Sequence, residues 1–308
     1  MILTRNLTKR YRRVNALNGL DLQVPDGAIF GLIGPNGAGK SSTLRILAGL
    51  MSASAGEAWV DGVDVLAQPG RTRQLVGYMP DHFGVYDDLT VLEYLEFYAA
   101  ATGVLRAQRT KVATDLISLV GLGGKRDEWV NSLSLGMKQR LGLARCLVHD
   151  PKVLLLDEPA SGLDPRARAE LRDLLGELRR LGKTIVISSH ILPELAEMCT
   201  DIGIIASGRV VASGPMAQFQ GLDERQVLEI EVLGEPEPAQ AALGALPGVS
   251  ETWWDDGRLC AGFSGDDAAR ASVVAGLVAA GVQVLGFRRR HDDLEDLFLR
   301  LTEGEEAS

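Results

Sequence analysis

No stretch of this chain reaches the ~18 consecutive apolar residues that a membrane-crossing helix needs, and its start carries no basic-then-apolar leader. A cytoplasmic location is therefore expected. Cysteine is scarce: Cys146, Cys199 and Cys260 lie far apart and none belongs to a C-x-x-C pair. That excludes a disulfide framework and a thiolate zinc site, and it fits a reducing compartment. Positive charge is in deficit. The formal net charge is −9, and the densest basic cluster is the short Arg288-Arg289-Arg290. Sequence-independent nucleic-acid binding asks for more than this. With 308 residues the chain has room for two domains rather than one.

What is present is more telling. Gly34-Pro35-Asn36-Gly37-Ala38-Gly39-Lys40-Ser41 follows the apolar run 28–33 and leads into Ser42-Thr43-Leu44-Arg45-Ile46-Leu47. This is G-x-x-x-x-G-K-[ST] in a strand–loop–helix setting, the phosphate-loop pattern. Glycines let successive backbone N–H groups converge on phosphate oxygens that a Cβ would obstruct. The following helix points its positive end at the same anion. Lys40 adds a mobile charge for the β- and γ-phosphates, and Ser41 offers a hydroxyl to magnesium. The pattern predicts a nucleoside triphosphate site.

A second element bears on what happens to that nucleotide. Val153-Leu154-Leu155-Leu156-Asp157-Glu158 is an unbroken apolar run ending in two carboxylates, as expected of a parallel strand buried on both faces. Acids at the carboxyl end of such a strand sit where open α/β sheets bind ligands. Asp157 suits a magnesium shell, and Glu158 is placed to polarise the water that attacks the γ-phosphate.

Further segments follow in a telling order. Leu133-Ser134-Leu135-Gly136-Met137-Lys138-Gln139-Arg140 lies just upstream of the acidic strand; Ser161-Gly162-Leu163-Asp164 and Ser188-Ser189-His190 lie downstream. Together these resemble the signature segment (commonly LSGGQ), the D-loop and the switch histidine of ABC ATPases. Tyr11, in Lys9-Arg10-Tyr11, sits where that family has its adenine-stacking aromatic. The resemblance covers roughly residues 1–220 and implies ATP hydrolysis with Mg2+. It also implies a composite site, in which Ser134, the Gly136 N–H and a helix beginning near Met137 bind the γ-phosphate held by a second ATP-binding subunit. One copy of each motif occurs here, so the partner is a second chain, identical or homologous.

Two departures from the family pattern matter. Leu135 and Met137 stand where LSGGQ has glycine and glutamine, though the serine and second glycine remain. In Gly77-Tyr78-Met79-Pro80-Asp81, the family's usual glutamine is replaced by Asp81. A carboxylate still serves a magnesium shell, but it cannot donate a hydrogen bond while ionised.

The fold expected is α/β: a P-loop core over 1–220 with a helical subdomain at about 82–150. A small C-terminal α+β, ferredoxin-like domain over 221–308 completes it. Helices are expected over 90–101, 109–120 and 166–181, and a hairpin over 202–212. Beyond 221 the pattern reads strand 227–233, a break at Glu235-Pro236-Glu237-Pro238, helix 239–246, hairpin 249–263, helix 266–280, strand 282–290 and helix 294–301. That βαββαβ order is the split-βαβ arrangement, read as a dimerisation or regulatory appendage. The ending 294–302 resembles the drug- and antibiotic-exporter group of the family. The resemblance thus implies an exporter subunit on the cytoplasmic face of the membrane, working with an integral membrane permease in a separate chain and with no nucleic acid. In that family the neighbourhood of Phe83, Tyr86, Leu89, Tyr94, Phe97 and Tyr98 receives the permease; most of these aromatics are expected in the core of the helical lobe, and exposed ones such as Phe83 or Tyr86 would favour docking. The alternative is a soluble ABC ATPase acting on nucleic acid or the ribosome.

Overall fold

The computed structural model describes residues 1–12, 14–81, 84, 88–220, 226–234, 236–255 and 257–291. By the density of its contacts the chain divides into a unit of residues Met1–Met216 and a second beginning at Ala217.

In the first unit, the apolar runs become the middle of a six-stranded sheet. Its order is Arg209–Pro215, Asp201–Ala206, Ile29–Ile33, Thr184–Ser189, Val153–Asp157, Val76–Met79. Every neighbour pair is parallel except the first, which forms the expected hairpin. Three central strands, Ile29–Ile33, Val153–Asp157 and Thr184–Ser189, are buried at every residue. This is why they read as continuous apolar runs rather than as alternation. Their registers align the carboxyl ends: Ile33 pairs with Ser189, Ser188 with Asp157, and Leu156 with Met79. The loops that follow these strands are therefore gathered along one edge of the sheet.

A smaller antiparallel sheet, ordered Val14–Val24, Ile2–Tyr11, Ala55–Val60, Val63–Asp64, shares the main core. The helical lobe contains Val91–Ala101, Arg109–Leu119 and Leu135–Leu147. The first of these opens on a capping box between Thr90 and Glu93, which satisfies donors that the helix end leaves free. Tyr94 is fully buried, while Phe97 is exposed. Phe83 and Tyr86 lie outside the described residues. The amphipathic helix Pro165–Arg180 buries Leu171, Leu174, Leu175 and Leu178, the stripe its sequence predicts. The short helix Pro69–Leu75 and the strand Val76–Met79 were not expected from the sequence, since a four-residue strand is too short to show a period.

In the second unit, four antiparallel strands take the order Val249–Asp255, Arg258–Phe263, Gln226–Leu233, Gln283–His291. The helices Pro236–Gly244 and Asp267–Ala279 pack Ala239, Leu243, Val273 and Leu277 against Leu228, Ile230, Leu259, Ala261 and Phe263. The connectivity is that of the ferredoxin-like, split-βαβ motif. One expectation is corrected here: Pro236 and Pro238 do not make a break but begin the helix. First-turn N–H groups have no intrahelical partner, so proline loses nothing there. The segment 294–302 lies outside the described residues.

On the sheet face away from those helices, Glu229 is buried and accepts hydrogen bonds from Arg258 Nη1 at 2.7 Å and from Arg288 Nε and Nη2, both at 2.8 Å. Hydrogen bonds from Arg288, then Arg258, hold its carboxyl below the ordinary 4.5. A depressed carboxyl stabilises the fold fully above that ordinary value and loses the contribution as pH falls below it. Glu229→Gln is expected to cost about 1–2 kcal/mol at pH 7, because both arginines remain partly solvated, and the difference should shrink in acid. Amide hydrogen exchange along Gln226–Leu233 reads this, and equal protection in both proteins at pH 7 would refute it.

Candidate active site

The loop after Ile33 turns on two glycines that have no room for a side chain. A Cβ on Gly34 would lie 2.3 Å from the Ile205 carbonyl oxygen, and one on Gly39 would lie 2.5 Å from that of Ala16. Gly39 also has φ +107° and caps the helix Lys40–Leu47, so it presents the helix N-terminus to the cleft. Lys40 is buried and donates from Nζ to the carbonyl oxygens of Gly34 at 2.7 Å and Pro35 at 3.2 Å. Glu158 Oε1 lies 3.7 Å from the same nitrogen. Burial pulls the lysine below its ordinary value, while the charges of Glu158 and Asp157 oppose that.

Asp157 ends its strand almost wholly buried. Its Oδ1 accepts from Ser41 Oγ at 3.1 Å and from Ser188 Oγ at 2.6 Å, whereas Oδ2 has no hydrogen-bond partner among the described residues. Glu158 then leaves the strand with φ +50°, a left-handed conformation uncommon outside glycine, asparagine and aspartate. Its backbone N–H is shared between the Ser188 carbonyl at 3.2 Å and Ser188 Oγ at 3.0 Å. The turn aims its carboxylate across the cleft, where Oε2 meets His190 Nδ1 at 3.0 Å. An ionised carboxylate can only accept, so Nδ1 carries the hydrogen in that pair. Lys40, Ser41, Asp157, Glu158 and His190 thus stand together.

Asn36, Gly37, Ala38, Ser42 and Asp81 line the same cleft. Tyr11 does not line it; its hydroxyl donates to Met51 Sδ at 2.8 Å. Val14, its cross-strand partner, does line the cleft, as does Ala16. Ser134 caps the helix Leu135–Leu147 by accepting from Met137 N–H at 3.3 Å. That helix therefore starts at Leu135, two residues before the expected position. Ser134, Gly136, Met137 and Asp164 line a different cleft, and Asp164 caps the helix Pro165–Arg180. The tight fit explains Gly136, whose Cβ would lie 3.1 Å from that of Ala167.

In the sequence Ser188 reads only as a neighbour of His190, yet it touches both Asp157 and Glu158. The signal available was register, since parallel strands ending together bring Ser188 opposite Asp157. The contribution of Val14 and Ala16 carries no chemical mark in the sequence.

This geometry defines a P-loop nucleoside triphosphatase: a helix terminus and lysine for phosphates, a buried carboxylate beside a hydroxyl, and a second carboxylate held by a histidine. The ABC transporter family model matches residues 17–161. The daunorubicin/doxorubicin resistance ATP-binding protein of Streptomyces peucetius is 33% identical over 303 residues, spanning 98% of this chain and 92% of that protein. The methionine import ATP-binding protein of Carboxydothermus hydrogenoformans is 39% identical over 222 residues, 70% of this chain and 66% of that one. A dimeric ATP-binding cassette solved in a post-hydrolysis state with ADP and Pi superposes with TM-score 0.64 at 26% identity, covering 70% of this chain and 99% of that one. The chain belongs to the family of ABC transporter ATP-binding subunits, and it is an ATPase.

Proposed function

We propose that this subunit powers an exporter, with ATP held between two copies or homologues arranged head to tail. One observation carries the reading. The signature residues Ser134, Gly136 and Met137 form a helix-terminus cleft that shares no lining residue with the phosphate-loop cleft. Each cleft is half of an anion site, so a second chain completes it. Export is supported by the drug-resistance relative, whose similarity runs through the second unit, whereas the importer relative matches 70% of this chain. The permease in this reading is a separate membrane chain; no helix among the described residues is long and apolar enough to cross a bilayer. The subunit sits on the cytoplasmic face of the membrane. Residues 1–220 form the ATP-binding domain, with 82–150 as its helical subdomain, and 221–308 serve as an accessory domain for dimerisation or regulation.

Within the site, backbone N–H groups of Gly37 to Lys40 and the Lys40 ammonium hold the phosphates. Val14, which lines the cleft where Tyr11 does not, offers the base an apolar platform. The oxygens of Ser41, Asp157 and Asp81 suit a hard cation, and the unpartnered Asp157 Oδ2 fits a magnesium-bound water. Bound magnesium would neutralise charge on the β- and γ-phosphate oxygens. Glu158 takes the proton from the attacking water, and His190, donating from Nδ1, fixes that carboxylate's orientation. Light scattering on Glu158→Gln with Mg-free ATP tests the composite site. A nucleotide-dependent monomer-to-dimer shift is expected, and its absence when ATP is bound would count against two half-sites.

A further inference from the structure

Two polar atoms beside the nucleotide site are buried with no hydrogen-bond partner among the described residues: Asp157 Oδ2 and the Tyr78 hydroxyl. Unpaired buried groups are rare enough that two in one site call for a reason. The sheet brings them to the same place. Val76–Met79 runs parallel to Val153–Asp157 with Tyr78 opposite Leu155. Side chains alternate along a strand, so Asp157, two residues beyond Leu155, projects from the same face as Tyr78, one diagonal step away. The helix Lys40–Leu47 carries Ser41, which reaches Asp157 Oδ1 at 3.1 Å, and Arg45 lies one turn further along the same stripe.

The charges agree with this placement. Asp157 and Arg45 both bear electrostatically on the Tyr78 hydroxyl. The Tyr78 hydroxyl is in turn the largest influence raising Arg45. Nothing in the phosphate-loop chemistry above uses either residue.

We propose that Tyr78 is a positioning residue for the metal carboxylate: its oxygen accepts from Arg45 and its O–H donates to Asp157 Oδ2. Oδ1 is already fixed by Ser41 and Ser188. A third donor on Oδ2 locks the rotation of the carboxylate and leaves one lone pair for a metal-bound water. Partners of this kind raise the precision of a metal site without touching the ion. The inference rests on the reading of Asp157 as the magnesium carboxylate.

The test uses the full chain with ATP and Mn2+ as the magnesium probe, titrated by electron paramagnetic resonance. Tyr78→Phe keeps the ring in the core and removes only the hydroxyl. Mn2+ affinity in the ATP complex should fall about 10-fold, while Mg-free ATP affinity and the thermal midpoint stay unchanged. Unchanged Mn2+ affinity overturns the inference, with or without a lowered midpoint, since Tyr78 would then only pack. Asp157→Asn separates the two failures. If it weakens Mn2+ and Tyr78→Phe does not, Tyr78 alone is misread; if Mn2+ tolerates Asp157→Asn, the metal reading falls and takes Tyr78 with it.

Discussion

Glu158→Gln is expected to reduce ATP turnover by about 10²–10⁴-fold, the range a positioned general base contributes, while ATP stays bound. The substitution keeps side-chain size and the backbone turn, and the amide oxygen can still accept from His190. What it removes is the proton acceptor and one negative charge near Lys40. That charge helps hold the Lys40 ammonium against burial, so nucleotide affinity changes less than turnover does. Steady-state phosphate release measured beside the bound ATP:ADP ratio separates these quantities. Turnover equal to the parent protein would remove Glu158 from the reaction. Loss of ATP binding itself would mean that its main work is electrostatic, on the phosphate loop.

Ser134→Arg should abolish ATP-driven dimerisation and depress turnover roughly 10²-fold or more, the scale of losing an anion donor. Two effects must be told apart. Removing the serine oxygen frees the Met137 N–H and costs about 1 kcal/mol of helix capping. Arginine also sets bulk and positive charge at a helix N-terminus that already carries positive potential. Ser134→Ala removes the cap alone, so the difference between the two variants isolates the blocked surface. ATP affinity of the isolated chain should stay within about twofold in both, because the signature cleft shares no residue with the phosphate-loop cleft and distant sites act additively. Dimers persisting in Ser134→Arg would sink the composite site.

Much of this site was legible in the sequence because its chemistry demands rare residue types in fixed order. The glycines of the phosphate loop, the acids ending an apolar run and the histidine after another such run are each placed by strand ends. The α/β class and the βαββαβ order of the second unit followed from periodicity. Three things did not. Helix starts slipped: Ser134 as a cap sets the helix at Leu135, and the prolines 236 and 238 begin a helix where the sequence reads as a break ahead of it. The short pieces 69–79 hid because a seven-residue helix and a four-residue strand each span only about two periods, too few to stand out as a pattern. The roles of Ser188 and Tyr78 are properties of register between strands far apart in sequence, and no local pattern encodes register.

The left-handed backbone at Glu158 narrows what this position can become. The proposed general-base role requires a carboxylate there, while φ +50° favours glycine, asparagine or aspartate over any other residue. These two demands overlap only at aspartate, so the glutamate holds its place at a conformational cost. A lineage released from hydrolysis would therefore not drift at random here: glycine would relieve the backbone, and alanine would relieve nothing. The position can lose its chemistry by a downhill step in conformational energy, whereas regaining a glutamate means climbing back.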